Sequence, residues 1–217
     1  MLNPSGAGFD RVHDTQHIYR ILLHAMSRPG VICELGELVQ RIDVPSGTSK
    51  AAAAIAYTLL DGEVSFASCM WEQVGWPEHI RRMTYSKLVE MSVADYVFVN
   101  GEEDAGSIEI MISKLKIGTL SSPEQSATLC IKVNSLRSEP DMNEAGISLK
   151  LTGPGIEGSS ICCVDGLSSA WIESRSGLVQ EYPLGVDFVL FTESGEVLAL
   201  PRTTVVEGVV GAWPTLQ

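Results

Sequence analysis

The sequence predicts an α/β fold in which a mixed sheet carries helices on its faces. Three observations lead there. Apolar runs of strand length alternate with segments of helical period, and the chain closes on a hairpin pattern. Its 217 residues are also 45% hydrophobic and 19% charged, which suffices for one full core. No composition break, repeat or long linker divides the chain, so one domain covers 1–217, with 1–13 as a flexible N-terminus and 208–217 as a tail.

Taken in order, Asp14 or Thr15 caps a helix that runs to Ser27, where Arg28-Pro29-Gly30 stops it. Val31 to Cys33 makes a short strand. Ser46 or Thr48 caps a helix over Ser49 to Leu60, whose Ala-rich centre is apolar all round and so buried on more than one side. Val64 to Ser68 is a strand, Pro77 opens a helix over Glu78 to Glu90 with a break near Thr84, and Ala94 to Asn100 is a buried strand. Asp104 or Ser107 opens a helix on which Ile108, Met111, Ile112 and Leu115 share one face, and Gly118 closes it. Strands follow at Ala127 to Asn134, Ile147 to Thr152 and Cys162 to Val164. A last helix spans Leu167 to Gln180 with Leu167, Ala170, Trp171 and Leu178 inward. Val186 to Phe191 and Val197 to Leu200 flank the turn Glu193-Ser194-Gly195-Glu196 as a hairpin.

The formal net charge is −12, and the densest basic pair is Arg81-Arg82. Such a chain repels phosphate backbones and anionic lipid, so neither nucleic acid nor membrane is expected as a partner. Cys33, Cys69, Cys130, Cys162 and Cys163 are an odd number without CxxC spacing, a usage that suits a reducing compartment. No signal-like or spanning segment is visible, and the expected location is the cytoplasm.

Several motifs carry chemistry only if their context agrees. Gly153-Pro154-Gly155-Ile156-Glu157-Gly158 spells GxGxxG after a strand, but the Ser159 to Val164 stretch is a poor helix start and Pro154 lacks an amide donor, so it reads as a turn. Gly47-Thr48-Ser49-Lys50 has phosphate-loop residue types without the GxxxxGK[ST] pattern, and it reads as a cap with one exposed lysine. His13 and His17 stand at i, i+4, a zinc spacing when both are helical, but His13 falls before the cap. His17, Arg20 and His24 form one polar stripe, a solvated or partner-contacting face. Adjacent Cys162 and Cys163 point to opposite faces of a strand, one structural and one half-exposed. No serine sits in a G-x-S-x-G elbow, and Asp187 and Glu193 make no arguable carboxylate pair, so the expectation is no catalytic residue, no metal and no cofactor. Arg202, with Thr203 and Thr204, is either half of a local ion pair or a site for an acidic partner or phosphate; the Gly153 and Gly155 turn would complete such a site.

Four ordered segments carry a resemblance to a known family. They are Gln16-His17 to Leu23 continuing through Ala25-Met26-Ser27-Arg28-Pro29-Gly30-Val31-Ile32; Leu149-Lys150-Leu151-Thr152-Gly153-Pro154-Gly155-Ile156; Tyr182-Pro183-Leu184-Gly185-Val186-Asp187; and Ala199-Leu200-Pro201-Arg202-Thr203-Thr204. In these the chain resembles the PhnH subunits of the bacterial carbon–phosphorus lyase system. The resemblance implies a three-layer α/β/α sandwich similar to the large domain of pyridoxal-phosphate-dependent transferases, without that cofactor. It implies a homodimer when alone and association with PhnG, PhnI and PhnJ in the core complex, which acts at the alpha-D-ribose 1-methylphosphonate 5-triphosphate synthase step of alkylphosphonate breakdown. Radical iron–sulfur chemistry falls to other subunits, and no catalytic residue carries over to this one. A ligand-binding subunit and a vestigial pyridoxal-phosphate enzyme are the competing expectations.

Overall fold

The computed structural model describes residues 8–70, 75–139, 146–178 and 182–210. The helices are α1 (His13–Ser27), α2 (Glu37–Gln40), α3 (Lys50–Leu59), α4 (Trp76–Thr84), α5 (Ala105–Lys114) and α6 (Ser169–Leu178). The strands are β1 (Cys33–Glu34), β2 (Ser65–Ser68), β3 (Lys87–Leu88), β4 (Tyr96–Asn100), β5 (Thr128–Lys132), β6 (Ser135–Arg137), β7 (Ile147–Thr152), β8 (Ser160–Asp165), β9 (Asp187–Phe191), β10 (Glu196–Leu200) and β11 (Val205–Val210).

A seven-stranded sheet of order β1-β10-β9-β5-β4-β2-β3 forms the centre. From β9 to β3 its neighbours are parallel, and the β9–β10 hairpin with β1 adds an antiparallel edge, so the sheet is mixed. The central strands read as continuous apolar runs because both faces are covered. On β4, Phe98 points to one core while Val97 and Val99 point to the other; on β9, Val189 and Phe191 oppose Phe188 and Leu190. The first core packs under α1 to α4, with the Ala51 to Ala56 stretch of α3 fully buried. Small side chains there let helix and sheet backbones approach closely.

The second face departs from helices alone. There α5 and α6 share the core with a separate antiparallel sheet of order β11-β7-β8-β6, through Leu149, Leu151, Cys162 and Val164. The sequence placed β7 and β8 in one sheet with the rest. Their pairing is decided by contacts distant in the chain, which period-2 patterning does not encode. Residues 208–210, read as tail, belong to β11 and pair with Lys150, Leu149 and Ser148; a bulge between Val206 and Gly208 breaks the alternation that would have marked the strand.

Local corrections follow from capping. Helix α1 starts at His13, because the Asp10 carboxylate accepts from the amides of Val12 at 2.8 Å and His13 at 2.9 Å. Asp14 instead accepts from the Asp10 amide at 2.9 Å and pairs with Arg41. Within the expected N-terminus, residues 1–7 lie outside the described residues, while Phe9 rests 5.9 Å from the ring of Tyr57. Ser49 rather than Ser46 or Thr48 caps α3, accepting from Ala52 N at 3.1 Å. Helix α4 stops at Thr84, where Tyr85 turns left-handed, and Lys87–Leu88 becomes an edge strand. The last helix is described to Leu178; its expected final residues, 179–180, lie outside the described residues. Among the described residues no helix is long and apolar enough to cross a membrane.

Candidate functional site

The segments that carry the family resemblance meet at one joint. The Gly153-Pro154-Gly155 turn leaves β7 and lies against two other stretches of chain. A Cβ on Gly153, at φ +132°, would stand 2.9 Å from the Thr203 carbonyl oxygen; one on Gly155, at φ +84°, would stand 2.3 Å from the Ser27 carbonyl oxygen. Only glycine tolerates both the backbone angle and the approach. Gly30, just past α1, closes the same joint against Ser160 and Leu151. The next strand, β8, opens at Ser160, so no helix N-terminus faces the glycines and the GxGxxG spelling is a structural turn here.

Arg202 leaves the end of β10 and folds onto the first residue of β9. Its backbone amide and Nη2 each donate to Asp187 at 2.7 Å, Nε donates at 3.3 Å, and Nη1 donates to the Pro123 carbonyl. The pair is mostly buried, with side chains 18% and 13% exposed. Beside it a cavity of about 480 Å³ is lined by Arg202, Thr203, Thr204, Val205, Val206, Pro154, Tyr182, Ser176 and Arg175. Thus the structure gathers Arg202, Thr203 and Thr204 at this wall with Gly153 packed behind, whereas Gly155 faces the end of α1.

Arg175 was missed by the sequence reading. It is 3% exposed on the inward face of α6. Its guanidinium donates to the carbonyls of Thr204 at 3.1 Å, Leu200 at 3.3 Å and Pro201. It also stacks 5.4 Å over the Phe188 ring. Burial pushes its pKa down to about 10, partly offset by the Asp187 charge, so it stays cationic at neutral pH. The signal was present: Arg175 lies one helical turn after Trp171, on the stripe that Trp171 and Ile172 mark as inward.

A second feature is an open groove of about 520 Å³ between α1 and β1, lined by His13, His17, Arg20, His24, Cys33 and Glu34, among others. The expected polar stripe is therefore exposed as read, and the early start of α1 adds His13 to it. His13 Nδ1 sits 2.9 Å from the Asp10 carboxylate, whose hydrogen bond and charge raise the imidazole pKa.

Other candidates are occupied by the protein itself. The Glu193 carboxylate accepts from the Lys50 amide at 3.1 Å and pairs with Lys132 at 3.2 Å, so an internal carboxylate fills the start of α3. Lys50 Nζ turns away to the Gln40 carbonyl. Asp187 and Glu193 serve opposite ends of β9, which explains why they form no pair. Cys162 and Cys163 are both buried, correcting the half-exposed expectation for one of them; burial pushes Cys162 up to about 12, and Cys163 Sγ lies 3.1 Å from Ser148 Oγ. Among the described residues no three His, Cys, Asp or Glu side chains converge as metal ligands.

Comparison with known proteins covers the segments that meet at this joint. The family described as "Bacterial phosphonate metabolism protein (PhnH)" matches residues 7–207. The chain is 28% identical over 205 residues to the alpha-D-ribose 1-methylphosphonate 5-triphosphate synthase subunit PhnH of Rhizobium meliloti (strain 1021), covering 94% of this chain and 95% of that protein. It is also 28% identical over 189 residues to "Putative C-P lyase subunit protein HtxG" of Stutzerimonas stutzeri, covering 87% of this chain and 84% of that one. A match that spans all four motif segments makes this chain a member of the bacterial phosphonate metabolism protein (PhnH) family.

Proposed function

We propose that this protein is an accessory, non-catalytic subunit of a carbon–phosphorus lyase complex in alkylphosphonate catabolism. Membership of the PhnH family supports the process, and so do the names of its two relatives. The observation that favours a scaffold role is the commitment of the family motifs to the chain's own structure: Arg202 to Asp187, Gly153 to Thr203, and Gly155 to Ser27. On this reading the partners are PhnG, PhnI and PhnJ, the protein alone is a homodimer, and it works in the cytoplasm. On the same reading, the fold is similar to the large domain of pyridoxal-phosphate-dependent transferases, without that cofactor.

The stripe of His17, Arg20 and His24 is the proposed partner contact. It puts the Arg20 guanidinium and two imidazoles on an open groove of a chain with net charge −12, and an acidic partner surface complements it. The test is affinity capture of the tagged protein from cells grown on a phosphonate as phosphorus source. Recovery of the other lyase subunits in fixed ratio is expected, and Arg20→Glu with His24→Glu should reduce it. A protein recovered alone under those conditions, or turnover by the isolated subunit, overturns the proposal.

A further inference from the structure

The groove beside α1 runs along an edge of the central sheet. Strand β1 is the outermost member of that sheet and pairs with β10 in the register Cys33 to Val197 and Glu34 to Glu196. One step on, the Leu35 amide donates to the Gly195 carbonyl at 2.8 Å. Bonded and non-bonded positions alternate in an antiparallel pair, so Cys33 turns its backbone groups toward β10 and Glu34 turns its own outward. On the far side of β10 the Thr192 amide donates to the Glu196 carbonyl, as that alternation requires. Among the described residues the outward amide and carbonyl of Glu34 have no backbone partner.

Helix α1 walls this edge. His13, His17, Arg20 and His24 recur at i, i+4, i+7 and i+11 and share the groove with Cys33 and Glu34. A strand edge beside a helical wall captures an extended segment as one more strand. From His13 to His24 the wall is about 16 Å long, room for about five extended residues. The two faces of such a strand meet different charges. Cys33 packs into the core beneath α1, so the next side chain, Glu34, leaves on the other face. Toward α1 an added strand meets the Arg20 guanidinium and the imidazoles; on its other face it passes Glu34. A carboxylate already rests on this wall, since Asp10 lies 2.9 Å from His13 Nδ1.

We propose that β1 is extended by a segment of a partner subunit that carries Asp or Glu at alternate positions, facing His17, Arg20 and His24, with uncharged or basic residues between them. Main-chain bonds to Glu34 supply the affinity, and the alternation of charge fixes the register. This contact rests on the subunit reading above and names how the partner is held.

Glu34→Pro tests it, because proline deletes the outward donor and leaves the bonds of Cys33 and Leu35 to β10 in place. Proline is tolerated at such an edge position, so thermal unfolding should stay at the wild-type temperature. In affinity capture of the tagged full-length protein from phosphonate-grown cells, Glu34→Pro should lower recovery of the lyase subunits roughly tenfold or more. Glu34→Ala, which keeps the amide, should lower it less than about twofold. Hydrogen exchange on the wild type gives a readout that no variant's folding affects: residues 31–36 should exchange more slowly in the captured complex than in the isolated protein. Equal recovery by folded Glu34→Pro and Glu34→Ala, or equal exchange in both states, overturns the strand contact and leaves the subunit reading standing. Wild-type protein recovered alone overturns both. Protection of 31–36 that grows with concentration in the isolated protein assigns the edge to a second copy, and overturns the proposal too.

Discussion

Arg202 and Asp187 grip each other twice, once through the guanidinium and once through the Arg202 backbone amide, both at 2.7 Å. The contact ties the end of β10 to the start of β9, while a further bond to Pro123 brings in the loop before β5. It fixes the wall of the cavity that Arg175 underlies.

Breaking that grip should cost stability. Because the pair is mostly buried, Arg202→Ala leaves an unpaired carboxylate and is expected to cost about 2–3 kcal/mol, between exposed and fully buried pairs. Asp187→Ala should cost at least as much, since it also orphans the Arg202 amide. Urea denaturation of both single variants and the double variant measures the coupling. Strictly additive losses would show that the two residues act separately.

Two glycines separate backbone angle from packing. Gly47, at φ +80°, has nothing within 4 Å of a built Cβ, so Gly47→Ala should cost only the left-handed penalty of about 1–2 kcal/mol. Gly155 has a similar angle but a carbonyl oxygen at 2.3 Å, so Gly155→Ala must also displace the end of α1 and should cost about 2–4 kcal/mol. Equal losses in thermal unfolding would refute the joint as a tight contact.

The Asp10–His13 pair gives α1 a pH-dependent start. The His13 amide and imidazole, with the Val12 amide, pull the Asp10 pKa down to about 2, while Asp10 raises that of His13. A raised imidazole contributes fully below its unfolded value of 6.5 and is lost as pH rises through its folded value. A depressed carboxylate contributes above 3.8 and is lost as pH falls toward 2. The first turn is therefore held best between those unfolded values. An NMR titration should place the His13 midpoint above 6.5, and Asp10→Asn should lower it; an unmoved midpoint would remove the pairing.

Thiol labelling reports which cysteines the core encloses. Burial pushes Cys130 and Cys162 up to about 12 and raises Cys33 and Cys69 less. Native protein treated with iodoacetamide at pH 8 should leave Cys130, Cys162 and Cys163 unmodified by mass spectrometry, with slow labelling at Cys33 and Cys69. Rapid native labelling of Cys162 would contradict a closed core between the two sheets.

Much of the fold was legible because the relevant forces act over a few residues. The helical period of α5, with Asp104 accepting from Ser107 N at 3.0 Å, and the apolar runs of β4 and β9 are local signals that the structure repeats. The same locality explains the error at α1, where Asp10 and Asp14 are both plausible caps and Asp14 instead accepts from the Asp10 amide and from Arg41, 27 residues away. The Gly153 and Arg202 segments were recognisable as unusual, but nothing in their spacing showed that they touch.

The sequence by itself determined the types of the longer elements, the burial of the central strands and the family, since side-chain periodicity and ordered motifs are properties of the chain. Only the tertiary structure decided that β6, β7, β8 and β11 form a second sheet, that Glu193 fills the start of α3, and that the buried Arg175 guanidinium donates to the carbonyls of Leu200, Pro201 and Thr204. Those outcomes depend on which distant groups meet after collapse, where a charge is kept or cancelled by neighbours that no local pattern specifies.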